Sequence, residues 1–288
     1  MSDRLVTVDG VELCLETFGE RTDPAVLLIA GAAASMDSWD VGFCERLAGQ
    51  GLLVIRYDHR DTGRSASSPA GRPSYSAAEL TTDPLRVLDA LEIPRAHLVG
   101  VSMGGGIAQE LAARHPARVR TLTLIATSPA GEHDSGPLPP MRPELAVHFK
   151  DPVPDPDWDD RAAVVDYLVE GERPYAGTLG FDEARAREVA TTVVERTRNI
   201  EAAVKNHWSL TDDEAVTFRL ADIAAPTLVL HGTADPAFPF AHGEALAAGI
   251  PDTALVRLDG MGHEVPPPEL WDVVVPAIAR HVSAHANG

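Results

Sequence analysis

The chain has 288 residues, of which 44% are hydrophobic and 23% charged, so its composition is that of an ordinary globular protein with enough apolar residues for a sizeable core. Its 43 acidic and 24 basic residues give a net charge of −19 at pH 7, which disfavours binding to nucleic acid and to anionic membranes. Two cysteines exclude a secreted disulfide scaffold, and residues 1–10 carry no signal-peptide pattern, so we expect a cytoplasmic protein with no membrane partner.

The first half of the chain alternates strand and helix patterns. Strands are predicted at Leu5–Val8, Val11–Thr17, Ala25–Ile29, Leu52–Tyr57, Ala96–Val99 and Val119–Ala126. Helices are predicted between them at Phe43–Ala48, Ala78–Leu91 and Met103–Arg114. The first two strands flank a hairpin turn signal, Asp9-Gly10, and the later ones are continuous apolar runs. Repeated strand–helix–strand units predict a mainly parallel sheet with an antiparallel hairpin at its edge.

The pattern changes after Ser128. Eight prolines lie between Pro129 and Pro156, and two helical segments follow, at Asp160–Glu170 and Asp182–Trp208, the second broken near Asn199. The strand pattern resumes at Thr227–His231 and Ala254–Leu258, with helices at Phe240–Ala248 and Leu270–His285. We therefore predict an α/β fold with an eight-stranded, mostly parallel sheet flanked by helices. Residues 1–128 and 221–288 are predicted to form its core, and residues 129–220 an inserted helical cap.

One short motif indicates nucleophilic chemistry. Gly100-Val101-Ser102-Met103-Gly104 matches the pattern Gly-x-Ser-x-Gly, which is weakly specific alone but here follows a predicted strand and begins a predicted helix. Such a turn is so sharp that the serine takes a strained backbone conformation, and small residues must flank it. The helix also places its free N–H groups beside the hydroxyl. Ser102 is therefore the candidate nucleophile.

A serine hydroxyl needs a base, and the base needs an orienting acid. His263 follows the last predicted strand within Gly260-Met261-Gly262-His263, where small residues let the imidazole reach over the edge of the sheet. Asp235 follows the penultimate strand and is the candidate acid. The chain order serine, aspartate, histidine fits this motif. Asp259 lies too close to His263 in sequence, and Asp222 comes too early.

The same chemistry needs two backbone N–H groups directed at the negative charge that develops on the substrate oxygen. One is that of Met103, directly after the candidate nucleophile. The other is predicted in the small-residue loop that follows Ala25–Ile29, and Ala32 is the candidate. Trp39 and Met103 are the candidate substrate contacts, because they lie near this loop and the nucleophile turn. Further apolar candidates for the wall of the site are Leu138, Met141, Phe149, Tyr167, Tyr175, Phe181 and Trp208.

Both core segments resemble the α/β-hydrolase superfamily. The stretch Asp58-His59-Arg60-Asp61-Thr62-Gly63-Arg64-Ser65 resembles the superfamily signature Asp-x-Arg-Gly-x-Gly-x-Ser, with Asp61 in place of the usual glycine. Ala30 replaces the histidine that often precedes the glycine of the oxyanion loop. Both departures are similar to the aclacinomycin methylesterase group, which removes a methyl ester from polyketide anthracyclines. The resemblance implies catalytic roles for Ser102, Asp235 and His263 and for the amides of Ala32 and Met103, and we expect residues 58–65 to brace the site.

These observations predict a serine hydrolase that cleaves a carboxylic ester, such as a methyl ester of a bulky apolar or polyketide-type substrate, through an acyl-enzyme. The expected partner is a small-molecule ester, with no metal and no organic cofactor. Lactone hydrolysis, cofactor-free haloperoxidase-like activity and carbon–carbon bond hydrolysis use the same residues and stay open. A ligand-sensing protein on this fold is a further alternative, and turnover distinguishes it. The sequence makes no prediction of oligomeric state.

Overall fold

A computed structural model describes residues 3–210 and 217–285, so residues 211–216 of the predicted cap lie outside the described residues. The strands are β1 (Arg4–Val8), β2 (Val11–Phe18), β3 (Ala25–Ile29), β4 (Leu53–Tyr57), β5 (Ala96–Val101), β6 (Val119–Ile125), β7 (Thr227–Gly232) and β8 (Thr253–Leu258). Within the described residues these eight strands form one sheet in the order β1-β2-β4-β3-β5-β6-β7-β8. Neighbouring strands from β4 to β8 in this order are parallel, whereas β2 pairs antiparallel with both β1 and β4. The predicted sheet and its antiparallel hairpin are confirmed.

Helices cover both faces of the sheet. They are α1 (Val41–Ala48), α2 (Ala77–Ala90), α3 (Met103–Arg114), α4 (Pro143–Lys150), α5 (Arg161–Glu172), α6 (Glu183–Arg196), α7 (Ile200–Lys205), α8 (Ala241–Gly249) and α9 (Trp271–Ala284). Buried side chains of α2, α3 and α8 form one apolar cluster with the sheet, and those of α1 and α9 form another on the opposite face. The strands β3, β4, β5 and β7 are buried along almost their whole lengths, which explains why their sequences are mainly apolar.

Helices α4 to α7 are inserted in the chain between β6 and β7, where the sequence predicts a helical cap. Helices α5 and α6 pack through a small apolar cluster of their own, which includes Val164 and Val194. Helix α4 was not predicted, because it lies within the proline-rich stretch and is short. Pro143 occupies its first turn, where a missing N–H breaks no helical hydrogen bond.

Arg196, on α6, ties the inserted helices to the sheet. Its guanidinium donates to the carboxylates of Asp3, Asp37 and Asp58, and the Asp58 side chain is fully buried. Asp58 also accepts the backbone N–H groups of Met36 and Arg64. Because α6 is anchored beside the loop that follows β3, the inserted helices are held over the carboxyl ends of the parallel strands, the edge at which open α/β sheets bind ligands.

No helix in the two described ranges combines the length and apolar composition required to cross a bilayer.

His97, buried on β5, gives the fold a predictable sensitivity to acid. Burial, reinforced by the positive charge of Arg120, lowers the pKa of His97 to about 4, from an ordinary value of 6.5. The unfolded chain therefore takes up a proton near pH 6.5, whereas the folded chain takes it up only near pH 4. Stability is lost as the pH falls through that window, at up to ~1.4 kcal/mol per pH unit for this group.

We expect His97→Asn to reduce the slope of the unfolding free energy against pH between pH 6.5 and pH 4. The reduction should correspond to the uptake of about one proton fewer on unfolding. An asparagine can keep the hydrogen bond that His97 Nδ1 makes with the hydroxyl of Thr121, at 2.9 Å. Urea unfolding at several pH values measures the slope for both proteins. Parallel slopes in the variant and the wild type would show that His97 is not responsible.

Candidate active site

Ser102 lies in the sharp turn between β5 and α3. Its backbone has φ 53° and ψ −120°, a strained conformation for a residue with a side chain. A Cβ at Gly104 would collide with the carbonyl oxygens of Ile29 and Ala30, and a Cβ at Gly100 would collide with the backbone of Gly104. Glycines at these two positions therefore allow the turn to pack directly against the end of β3, which exposes the serine hydroxyl at the edge of the sheet.

The structure brings Ser102, His263 and Asp235 together. His263 Nε2 lies 2.9 Å from Ser102 Oγ, and His263 Nδ1 lies 3.0 Å from Asp235 Oδ2. Asp235 is fully buried after β7, and its other oxygen, Oδ1, accepts the N–H groups of Ala237 and Phe238, each at 2.8 Å. A carboxylate held in this way directs the unprotonated nitrogen of the imidazole at the serine hydroxyl, so the arrangement can deprotonate that hydroxyl.

Two aromatic residues that the sequence did not connect with the candidate base hold His263 in place. Its backbone N–H donates to the carbonyl of Tyr175, which belongs to the segment between α5 and α6, at 2.9 Å. The rings of Tyr175 and Phe238 pack on the imidazole with centroid distances of 5.7 and 5.2 Å. The position of His263 therefore depends on the inserted helices as well as on the sheet.

His231, the next-to-last residue of β7, is a buried neighbour of the candidate acid. Its Nε2 lies 3.7 Å from Asp235 Oδ2 and donates to the carbonyl of Phe238 at 2.7 Å. Burial lowers the pKa of His231, which keeps the ring neutral at pH 7. A neutral His231 leaves the negative charge of Asp235 available to His263. The sequence signal was its position four residues before the aspartate, at the end of a strand.

The two candidate oxyanion amides lie on either side of the nucleophile turn. Met103 is the first residue of α3, and Ala32 lies in the loop after β3, whose Gly31 passes so close that a Cβ there would be 3.6 Å from Ser102 Cβ. In the part of the chain that the structure describes, neither N–H has a hydrogen-bond acceptor. Both groups are therefore free to bind a substrate oxygen.

The structure does not bring Trp39 to the site. Trp39 is completely buried, and its ring stacks on Phe43 of α1 with a centroid distance of 5.8 Å. Trp39 directly follows a 3-10 turn at Met36–Ser38, and its indole packs in the apolar cluster that also contains side chains of the sheet and α9. Trp39 therefore has no exposed surface in this structure, whereas Met103 is half-buried beside Ser102.

The charged stretch of residues 58–65 makes buried polar contacts with neighbouring segments of the chain. Arg60 forms a two-pronged ion pair with the buried Asp83, with both distances at 2.8 Å. Asp61, at the position where the superfamily signature has glycine, keeps the left-handed φ of 68° that a glycine would favour. Its carboxylate accepts the hydroxyl of Tyr75 and the side-chain N–H of Asn206, both at 2.8 Å.

Among the described residues, no group of three or more histidine, cysteine, aspartate or glutamate side chains is arranged to hold a metal ion.

The chain is similar to known proteins along most of its length. A model of the alpha/beta hydrolase fold family matches residues 24–268. Over 301 aligned residues, the chain is 34% identical to rhodomycin D methylesterase DauP of Streptomyces sp. strain C5 and 33% identical to rhodomycin D methylesterase DnrP of Streptomyces peucetius. Each alignment covers 99% of both chains.

A solved structure is similar over the whole chain as well. The crystal structure of the enol-lactonase from Burkholderia xenovorans LB400 superposes with a TM-score of 0.73 at 25% identity, and covers 97% of this chain and 100% of that chain. The predicted resemblance to the superfamily and to its methylesterase group is confirmed. The chain belongs to the α/β-hydrolase family.

Proposed function

We propose that this protein is a serine hydrolase that cleaves a carboxylic methyl ester of a bulky, apolar, polyketide-type substrate, with Ser102 as nucleophile. One observation carries the proposal: an unbroken chain of hydrogen bonds runs from Ser102 Oγ through His263 to the buried Asp235. It is supported by the family to which the chain belongs and by full-length relatives that are named as methylesterases.

The first half of the proposed reaction forms an acyl-enzyme. His263 Nε2 takes the hydroxyl proton as Ser102 Oγ attacks the ester carbonyl carbon, and Asp235 stabilises the imidazolium that results. The carbonyl oxygen becomes an oxyanion and accepts the N–H groups of Ala32 and Met103. When the tetrahedral intermediate collapses, the bond to the alkoxy oxygen breaks, and that oxygen takes the proton from His263 and leaves as methanol.

The second half releases the acid. His263, now neutral, takes a proton from a water molecule that attacks the acyl carbon, and the same two amides stabilise the second oxyanion. The bond between the acyl carbon and Ser102 Oγ then breaks, and Oγ regains its proton from His263. The product is a carboxylic acid that ionises at neutral pH, and the net charge of −19 on the chain favours its departure.

An aromatic wall on the inserted helices supports a bulky apolar substrate. Phe149, on α4, packs edge-on against both Tyr175 and Trp208, with centroid distances of 6.4 Å in each case. Tyr175 in turn packs on His263. Phe149 and Trp208 are 46% and 62% exposed, so a row of rings leads from solvent to the candidate base. Planar apolar molecules bind to surfaces of this kind by ring stacking.

Phe149→Ala is expected to raise KM for a polycyclic methyl ester by about tenfold, because one aromatic contact contributes ~1.4 kcal/mol. Hydrolysis of p-nitrophenyl acetate, which has no polycyclic group to stack on Phe149, should change little. Val147→Ala is the matched control, since Val147 lies on the same helix and is 62% exposed. Equal effects of Phe149→Ala on both substrates would contradict a role for the wall in recognising large substrates.

The experiment that tests the proposed function is steady-state hydrolysis of a substrate panel. The panel holds p-nitrophenyl esters of increasing acyl length, an anthracycline methyl ester and a six-membered lactone. We expect the polycyclic methyl ester to have the highest kcat/KM. Turnover of short acyl esters alone would contradict the bulky substrate, and absence of any turnover by a folded protein would favour a ligand-sensing role.

A second candidate activity is lactone hydrolysis, because the similar solved structure is that of an enol-lactonase. The proposed chemistry is the same, except that the alcohol stays attached to the acyl group and remains in the site after ring opening. A kcat/KM for the lactone above that for every methyl ester would favour this activity.

A further inference from the structure

His207, in the 3-10 turn that follows α7, reaches from the inserted helices into the oxyanion loop. Its Nδ1 accepts the backbone N–H of Ala33 at 2.9 Å, and its Nε2 donates to the carbonyl of Arg60 at 2.9 Å. Ala33 directly follows Ala32, the candidate oxyanion amide. His207 is buried, so water does not compete for either hydrogen bond.

The two hydrogen bonds determine which form of the ring is present. Nδ1 faces a donor and must be unprotonated, whereas Nε2 faces a carbonyl and must carry a proton. This is the neutral imidazole, and burial lowers the pKa of His207, which favours the same form. His207 is thus a fixed acceptor directed at the Ala33 N–H.

The loop needs such support, because its backbone is strained. Ala33 has φ 60°, in the left-handed region that alanine disfavours by ~1 kcal/mol or more. A hydrogen bond from Ala34 N–H to the carbonyl of Gly31, at 3.3 Å, is the other contact that holds this turn within the described residues. Strained loops persist only where surrounding contacts over-determine them, and at Ala33 that contact comes from His207.

A second buried histidine supports the start of the same loop. His59 Nε2 donates to the carbonyl of Ala30 at 3.1 Å, while His59 Nδ1 lies 3.2 Å from the hydroxyl of Tyr57. The rings of His59 and His207 pack edge to face, with centroids 5.7 Å apart. The loop is therefore held at the Ala30 carbonyl by one histidine and at the Ala33 amide by the other.

Asp61 connects this support to the signature stretch. It accepts the side-chain N–H of Asn206, the residue before His207, and Asn206 also accepts the N–H of Gly71 at 2.7 Å. Asn206 is completely buried. Asp61 thus anchors the segment that presents His207, which gives a physical reason for an aspartate at a position where the superfamily signature has glycine.

We propose that His207 is a positioning residue for catalysis: by accepting the Ala33 N–H, it holds the oxyanion loop with the Ala32 N–H directed at Ser102. The inference rests on the proposed hydrolase function. Under this proposal both the core and the inserted helices contribute to the oxyanion site, so the site is complete only when those helices pack on the sheet.

Two substitutions of similar size distinguish the roles of the two ring nitrogens of His207. An asparagine oxygen reaches the position of Nδ1 and can accept the Ala33 N–H, whereas a glutamine reaches the position of Nε2 and leaves the Ala33 N–H without an acceptor. We expect His207→Gln to lower kcat roughly 10- to 100-fold with little change in KM, since an oxyanion donor contributes about 10²- to 10³-fold when removed outright. His207→Asn should recover most of that loss.

Two further readouts distinguish positioning from a general structural role. A trifluoromethyl ketone, which forms a tetrahedral oxyanion on a serine, should lose affinity for His207→Gln by the same factor as kcat/KM. Amide hydrogen exchange in residues 31–35 should be faster in His207→Gln than in His207→Asn, with the rest of the sheet unchanged. This second measurement needs no substrate.

Equal kcat in His207→Gln and wild type, or equal losses in the glutamine and asparagine variants, would overturn the proposal. So would unchanged amide exchange in residues 31–35 of His207→Gln. Absence of ester turnover by the wild type would count against the proposed function, whereas the exchange measurement would still decide whether His207 holds the loop.

Discussion

Replacing Ser102 with alanine is expected to reduce kcat for ester hydrolysis by at least ~10³-fold. The substitution removes one oxygen atom, the one that lies 2.9 Å from His263 Nε2, and leaves the packing of the turn otherwise unchanged. KM should change little, because binding of the ground state does not depend on the nucleophile. Steady-state kinetics with a p-nitrophenyl ester and with a polycyclic methyl ester measure both constants.

Ser128→Ala is the matched control. The hydroxyl of Ser128 also lies within hydrogen-bond distance of a histidine, 2.8 Å from His242 Nδ1, but the other nitrogen of His242 faces the carbonyl of Pro139 rather than a carboxylate. That pair lacks an orienting acid, so Ser128→Ala should keep kcat near that of the wild type. Comparable activity of Ser102→Ala and Ser128→Ala would place the chemistry elsewhere.

Asp235→Asn is expected to lower kcat by about 10⁴-fold while the fold is retained. The reason lies in the two backbone N–H groups, of Ala237 and Phe238, that bind Asp235 Oδ1. They require an acceptor, so the asparagine must place its oxygen there and direct its NH₂ group at His263 Nδ1. The imidazole then carries its proton on Nε2, where it cannot take the proton of Ser102.

Asp259→Asn is the control for this substitution. Asp259 lies near His263 in sequence, but it pairs with Arg257 at the protein surface. We expect the kcat of Asp259→Asn to equal that of the wild type. Circular dichroism and thermal unfolding of both variants confirm that the comparison is between folded proteins. A kcat for Asp235→Asn within ~10-fold of the wild type would contradict the role proposed for the carboxylate.

Much of the fold could be predicted from the chain because its signals are local. The central strands are short apolar runs bounded by turns, and burial on both faces produces such runs wherever a parallel sheet is covered by helices. The residues at the candidate site were found by the same logic. Ser102, Asp235 and His263 each follow a strand, and the carboxyl ends of parallel strands meet at one edge.

The direction of a side chain in a loop was harder to predict. Trp39 lies only seven residues after Ala32, yet its ring packs in the core. Sequence proximity to the oxyanion loop favoured a substrate contact, and no local pattern reveals that the ring is buried. The helix α4 was missed for a related reason, because prolines obscure the periodicity of a short helix whose first turn tolerates one.

Contacts between the inserted helices and the core left no pattern in the sequence. Tyr175 binds the backbone of His263 across 88 residues, and His207 binds Ala33 across 174. Neither residue lies in a recognisable motif. Tyr175 binds through its backbone carbonyl, which every residue has, and His207 binds through one ring nitrogen. Asp61 was noted as a departure from the superfamily pattern, and its contact with Asn206 became apparent only once the inserted helices were placed.

Titration with a p-nitrophenyl carbamate tests most directly whether Ser102 is the nucleophile. Such a compound transfers its carbamoyl group to an active serine and releases p-nitrophenol, and the carbamoyl group is then lost slowly. We predict one equivalent of p-nitrophenol per chain, a carbamoyl group on Ser102 by peptide mass spectrometry, and a loss of esterase activity in proportion to the labelled fraction. Activity that persists after Ser102 is fully labelled, or activity lost with the carbamoyl group on another residue, would show that Ser102 is not the nucleophile.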